Sequence, residues 1–221
     1  MIARPQALLF DLDGVLADVS RSYRQAIVKT ADYFGVSLSA EQVEAAKAAG
    51  NANNDWVLTQ ALIEQAGKSV SLERVTQVFE RLYQGENGTP GLCLTESMIG
   101  QREPLARRSE ATKLAIVTGR PRRDAETFLK RFGLQGYFDT IVTMEDAPAK
   151  PDPGPVSLAL RRLGVTRAWM LGDTPDDVIA ARGAGVLPIG VRLPNPVSRA
   201  QGDVLRRAGA AAVFDDWERI Q

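Results

Sequence analysis

ALLFDLDG, residues 7–14 of a 221-residue chain, runs four apolar positions directly into two carboxylates separated by one residue. Residues 7–10 read as a buried strand. Side chains alternate between the two faces of a strand, so Asp11 and Asp13 leave its carboxyl end pointing the same way. Like charges that close repel unless something cationic lies between them. The stretch therefore predicts a strand that ends in a charged site, and it asks for a cation.

Working outward, five more short apolar runs read as buried strands, at residues 114–117, 140–143, 168–171, 187–191 and 211–214. Segments of helical period lie between the later ones. Pro121 opens one whose apolar positions are Ala125, Phe128, Leu129 and Phe132, with Gly133 as its stop. Val156, Ala159, Leu160 and Leu163 repeat the spacing before Gly164, and Thr174-Pro175 starts a third helix that ends near Gly185. Strand and helix alternating through short connections predict an α/β fold, a doubly wound parallel sheet covered on both faces.

One connection is too long for a simple crossover, the one that follows Leu16. It must carry structure of its own. Tyr23, Ala26, Ile27, Thr30, Ala31 and Phe34 have helical spacing, Ser39 with Gln42 resembles a capping box, and Val75, Val78, Phe79, Leu82 and Tyr83 are helical again. The expected organisation is a helical insertion over residues 18–94, with residues 1–17 and 95–221 forming the core. The insertion's exit, GENGTPG at 85–91, reads as a hinge or linker, and residues 92–110 read as irregular and charged.

Composition narrows the chemistry. Lys plus Arg and Asp plus Glu are both 27, so no net field attracts nucleic acid or an anionic membrane. The expected partner is a small molecule. One cysteine, Cys93, excludes an intrachain disulfide, and the absence of an apolar leader or spanning stretch makes a cytoplasmic setting the expectation. There is no histidine, which removes Ser-His-Asp and Cys-His hydrolases and histidine-ligated metals together. Polar chemistry must run on carboxylates, Lys, Arg, Thr or a hard metal ion that takes oxygen ligands.

Ligands of open parallel sheets collect beyond the carboxyl ends of the strands. There the sequence places Asp11 and Asp13, then Thr118-Gly119-Arg120, then Lys150 in AKPDP, then Asp173 and Asp177 in LGDTPDD. Each has a plainer reading. Thr118-Gly119 makes a turn, Lys150 a surface lysine, and Thr174-Pro175-Asp176-Asp177 a helix start with Thr174 as N-cap. The set taken together favours a site.

FDLDGVLAD, VTGR, AKPDP and LGDTPDD resemble, in order and spacing, the four motifs of the haloacid dehalogenase superfamily, in its phosphatase branch with a helical cap inserted after the first strand. The resemblance implies a Rossmann-like core with a cap domain, and a Mg²⁺-dependent phosphatase acting through an aspartyl phosphate. It makes Asp11 the nucleophile and Asp13 the acid and base. Mg²⁺ would be held by Asp11, the backbone carbonyl of Asp13, Asp173 and, through water, Asp177. Thr118 and Gly119 would hold phosphoryl oxygens, and Lys150 would offset charge on nucleophile and phosphate.

The cap is expected to choose the substrate. Arg21 and Arg24, the Asn-rich stretch at 50–56 with Asn54, and a cationic cluster of Arg120, Arg122 and Arg123 are the candidates for gripping it. Each has a plainer alternative, a solvated helix face for the arginines of the cap and an N-cap for Asn54. A phosphosugar or phosphoglycolate-like acid suits these features, in a monomer or homodimer. Sugar phosphomutase chemistry or a non-catalytic binding role on the same core stay open. Asp13 argues against a dehalogenase, and a phosphonatase would need one of Lys29, Lys47 or Lys68 as a Schiff-base amine.

Overall fold

A computed structural model describes residues 4–192 and 198–220. The chain divides into two compact units, one joining residues up to Ala17 with those from Met98 onward, the other spanning Asp18–Ser97. In the first unit β1 (Ala7–Phe10), β2 (Lys113–Val117), β3 (Thr140–Val142), β4 (Ala168–Gly172), β5 (Leu187–Val191) and β6 (Ala212–Phe214) form one parallel sheet in the order β6-β5-β4-β1-β2-β3. All six runs read as strands from the sequence are in it.

Why β1 is apolar at every position follows from its two neighbouring layers. Ala7 and Leu9 pack in a cluster with Ala115, Val117, Ala159 and Met170. Phe10 points the other way and meets Phe138 and Trp217 edge-on, at 6.0 and 5.9 Å between ring centres. The chain fills one flank of β1 with β2 and β3, then crosses to the other with β4. The order reverses between β1 and β4, which is where an open α/β sheet leaves a crevice at its strand ends.

The second unit holds four helices, α1 (Tyr23–Tyr33), α2 (Ala40–Ala48), α3 (Asp55–Gln65) and α4 (Leu72–Gln84). The expected capping box of Ser39 and Gln42 is formed. Ala31, Val36, Ile63 and Val75 make a core of their own, and the rings of Tyr23 and Tyr83 lie 4.3 Å apart beside Phe79. Buried Glu96 accepts hydrogen bonds from the Ser22 and Tyr83 hydroxyls, both at 2.9 Å.

Two segments differ from their sequence reading. Residues 85–91 are not a linker: Gly85–Glu86 and Thr89–Pro90 pair as an antiparallel hairpin, turning through Asn87 and Gly88 at φ of 50° and 80°. Asn-Gly with both φ positive is the turn whose twist matches paired strands. After a short 3₁₀ turn at Leu92–Thr95, the stretch read as irregular contains α5 (Arg102–Ala111). Pro104 disguises that helix, yet it stands in the first turn, where no backbone N–H is required.

Four more helices complete the first unit: α6 (Arg122–Arg131), α7 (Gly154–Leu163), α8 (Pro175–Gly183) and α9 (Ser198–Ala208). The last has few apolar residues and no counterpart among the sequence expectations. No helix among the described residues is long and apolar enough to cross a membrane.

The hairpin can be tested against a linker at Gly88. A methyl group there would meet nothing within 4 Å, so Gly88→Ala acts through φ alone. It should lower stability by about 1–2 kcal/mol, the left-handed penalty, in denaturant unfolding; a flexible linker would absorb the change at no cost.

Candidate active site

The sheet register brings the predicted residues together. Phe10 lies opposite Ile116 on one side and Leu171 on the other, so one step further Asp11 stands beside the ends of β2 and β4, its N–H bonded to the Leu171 carbonyl at 2.9 Å. Lys150, from the loop after β3, reaches into the same place. Its ammonium donates to Asp11 Oδ1 at 2.9 Å, to Asp177 Oδ1 at 2.5 Å and to the Val117 carbonyl at 3.0 Å. All three side chains are buried. The cation that the opening stretch asks for is, in the protein itself, this lysine.

Asp177 satisfies both of its sequence readings at once. It stands in the first turn of α8, where its Oδ2 accepts from the Thr174 N–H at 3.0 Å and hydroxyl at 2.7 Å, closing a capping box. Oδ1 is thereby left facing Lys150. The helix cap orients the carboxylate, and the lysine uses the oxygen that the cap does not.

Asp11, Asp173 and Asp177 are all buried and offer carboxylate oxygens within 4.8 Å of one another. Hard oxygen donors without nitrogen or sulfur match Mg²⁺ or Ca²⁺ in kind. The backbone is built around these acids: a Cβ on Gly14 would collide with the Asp173 carboxylate, and one on Gly172 with Asp177. Gly14 also has φ of 72°. Gln201 of α9 donates to the Asp173 carbonyl at 2.9 Å. The group therefore fits a hard divalent cation.

Electrostatics reflect the crowding. Burial pushes the Asp11 carboxyl up; Lys150 opposes this, while Asp177 and Asp13 add to it, and the pKa reaches about 7. Burial alone would lower the Lys150 ammonium, but Asp11 and Asp177 outweigh it and hold the amine above its ordinary range. Lys150 is thus a fixed positive charge, unsuited to trading protons near neutrality.

Thr118 is buried at the end of β2, its N–H bonded to the Val142 carbonyl at 2.9 Å and its hydroxyl oxygen accepting from the Arg120 N–H at 3.2 Å. Gly119 lies between them, half-buried. The expected cationic cluster is dispersed. Arg122 binds Asp146 at 2.5 Å, Arg123 binds Asp124 at 3.2 Å, and Arg120 turns inward, its side chain 1% exposed, to meet Asp13 at 2.5 Å. Arg162 also binds Asp146, and together with Thr143 and Arg122 it overcomes the upward push of burial and holds that carboxyl below its ordinary range.

The remaining candidates lie in the other unit. Asn54 spends its side-chain oxygen capping α3, accepting from the N–H groups of Trp56 and Val57 at 3.0 and 3.2 Å. Arg21 is exposed, and its carbonyl accepts from the Thr95 hydroxyl at 2.7 Å. Arg24 is buried against Glu44 at 3.0 Å. Of the three lysines weighed for a Schiff base, Lys29 and Lys68 are exposed, and Lys47 is tied to Asp55 at 2.6 Å and the Ala52 carbonyl at 2.5 Å. An ammonium held in an ion pair is the wrong form for attack on a carbonyl. The link from Arg120 to Asp13 spans 107 positions, and no local signal announces it.

The Asp11 shift has a consequence for metal-free protein. A carboxyl whose pKa climbs from 3.8 to about 7 on folding costs nothing below the unfolded value, costs more as pH rises, and costs its full amount above 7. With a chelator present, Asp11→Asn should melt at a higher temperature than the wild type at pH 8, and the gap should close as pH falls toward 4. A gap independent of pH would show that Asp11 ionises in the fold as easily as in the unfolded chain.

A family model described as haloacid dehalogenase-like hydrolase matches residues 8–191. The chain is 44% identical over 230 aligned positions to imidazoleglycerol-phosphate dehydratase of Phytophthora nicotianae, covering 97% of this chain but only 51% of that protein, so it spans about half the length of this relative. It is 28% identical to fructose-1-phosphate phosphatase YqaB of Escherichia coli K12, over 87% of this chain and 100% of that one. Among crystal structures, a predicted phosphoglycolate phosphatase from Haemophilus somnus 129PT superposes with a TM-score of 0.78 at 22% identity, covering 99% and 97% of the two chains, a likeness of fold.

Proposed function

The chain belongs to the haloacid dehalogenase-like hydrolases, is an enzyme of their phosphatase kind, and we propose that it cleaves a small phosphorylated metabolite through an aspartyl phosphate on Asp11 with Mg²⁺ as cofactor. The observation that carries this reading is Asp11 itself, a buried carboxylate gripped by Lys150 at 2.9 Å among two further acids. A structural ion pair needs one acid for one base; three acids with oxygens within 4.8 Å of one another, two of them on one ammonium, suit a site that takes up a divalent cation with a phosphate.

Mg²⁺, bound by Asp11, Asp173 and the Asp13 carbonyl, with Asp177 acting through water, would supply the positive charge that lets an anionic carboxylate approach an anionic phosphate. The rest falls to the chain's own groups. A carboxylate oxygen of Asp11 forms a bond to phosphorus while the bond from phosphorus to the ester oxygen breaks. Asp13 gives its proton to the departing alkoxide, then takes one from the water that attacks the aspartyl phosphate, and inorganic phosphate leaves with Asp11 restored. Thr118 and the Gly119 amide hold phosphoryl oxygens, and Lys150 neutralises charge on nucleophile and phosphate without leaving its place. A phosphosugar or phosphoglycolate-like acid is the substrate class we assign, supported by a relative named for fructose 1-phosphate and a structural neighbour named for phosphoglycolate.

A screen of phosphorylated metabolites with Mg²⁺, reading free phosphate against isomerised sugar phosphate, tests the reading and separates hydrolysis from phosphomutase chemistry. Asp11→Asn should abolish phosphate release while the protein stays folded; turnover within tenfold of wild type would refute the covalent route. Asp13→Asn should slow alkyl esters by about 10²–10⁴-fold, the usual contribution of a general acid, and slow the first step on aryl esters far less, since their leaving groups need no proton. Equal losses on both would show that Asp13 is not the acid.

Metal binding has its own readout. Mg²⁺ should raise the melting temperature by mass action, and Ca²⁺ should do so too while supporting little turnover, because its longer bonds and larger ligand number hold the carboxylate out of line. A melting temperature indifferent to both ions would exclude the metal site.

A further inference from the structure

Arg120 invites a role different from gripping substrate. Its side chain is 1% exposed, its guanidinium lies 5.3 Å over the Phe128 ring, and its Nε donates to Asp13 Oδ1 at 2.5 Å. The backbone is held as firmly. The Arg120 N–H donates to the Thr118 hydroxyl oxygen at 3.2 Å, and the Arg120 carbonyl accepts from the Met144 N–H at 3.2 Å. One residue therefore ties the hydroxyl at the end of β2 to the carboxylate just beyond β1.

We propose that Arg120 is a positioning residue for the phosphatase reaction, fixing the Asp13 carboxylate on the leaving-group side and keeping it in register with Thr118. The inference rests on the phosphatase reading above. Asp13 stands in the turn after β1, with a side chain 24% exposed and two free torsions of its own. A general acid must sit within hydrogen-bond reach of the oxygen it protonates, and a carboxylate swinging on a turn spends much of its time elsewhere. A guanidinium clamp on one oxygen leaves the other for chemistry. Arg serves here where Lys serves at Asp11 because its planar group can lie over Phe128 while bonding sideways to Asp13. Buried as it is, it acts through Asp13 and Thr118 and has no surface to offer a substrate.

The test is a double-mutant cycle on Arg120→Met and Asp13→Asn, with p-nitrophenyl phosphate and an alkyl phosphate as substrates in Mg²⁺. Arg120→Met should lower kcat on the alkyl ester by about 10²-fold, within the range of lost general acid catalysis, with KM changed little. The first-turnover burst of nitrophenolate, which needs no acid, should stay within a few-fold of wild type, and Arg120→Met should add almost nothing in the Asp13→Asn background. Arg120→Lys should recover part of the loss. Additive losses in the double mutant, a burst that falls along with turnover, or a raised KM at constant kcat would each overturn the proposal in favour of direct substrate contact. Crystal structures of Arg120→Met and Arg120→Lys supply a readout free of activity. Asp13 should lose its fixed position in the first and regain it in the second, and an unmoved Asp13 in Arg120→Met overturns the role. Absence of phosphoenzyme in the wild type would defeat the phosphatase reading alone, with the crystallographic comparison still deciding whether Arg120 holds Asp13.

Discussion

The ammonium of Lys150 between Asp11 and Asp177 is the interaction on which the site depends. It cross-links three parts of the chain that the parallel sheet brings to one edge: the turn after β1, the loop before α7 and the first turn of α8. A third bond, to the Val117 carbonyl, ties in the end of β2 as well. Burying any of these charges alone would cost several kcal/mol, as Born solvation in a low-dielectric interior requires. Buried together, each makes the others tolerable. Burial above all raises the pKa of Asp11, with Asp177 and Asp13 adding to it against Lys150, and a divalent cation would offset the negative charge that the three acids gather there.

Around that pair, the fold is organised to bring backbone close to acid. Gly14 and Gly172 have no Cβ where Asp173 and Asp177 must lie, so two glycines decide how tightly the ends of β1 and β4 can close on the site. The capping box of α8 orients Asp177 with one oxygen and frees the other for Lys150. A residue that the sequence offers either as a helix cap or as part of a site is both, because a carboxylate has two oxygens and each role requires only one.

Two acids of one short motif are treated in opposite ways. Asp11 is buried and paired with a lysine, whereas Asp13, two residues on, keeps part of its surface and is paired with an arginine. A nucleophile benefits from a compact charge beside it and exclusion of water. A group that exchanges protons with a leaving group and a water must stay reachable, so its partner fixes it without enclosing it. On the proposed mechanism, the difference in partner follows the difference in task.

The sequence by itself determined the six strands, the helices with clean apolar periodicity, and the identity of Asp11, Thr118, Lys150, Asp173 and Asp177 as strand-end residues. Those signals are local: alternation, 3.6-residue period, caps and glycine stops all act over a few positions. It also foretold the capping box at Ser39 and the N-cap at Thr174, which are contacts across three residues. It misread what local pattern disguises. Pro104 hid α5, few apolar residues hid α9, and glycines that permit an Asn-Gly hairpin looked like those of a loose linker. Only the tertiary structure could decide which arginine is a clamp and which is a surface charge. Arg120, Arg122 and Arg123 are near neighbours in sequence, yet Arg120 points inward to Asp13 while the other two find Asp146 and Asp124. The partner that fixes the role of Arg120 stands 107 residues away and is delivered by the parallel pairing of β1 with β2, which no pattern within either segment encodes.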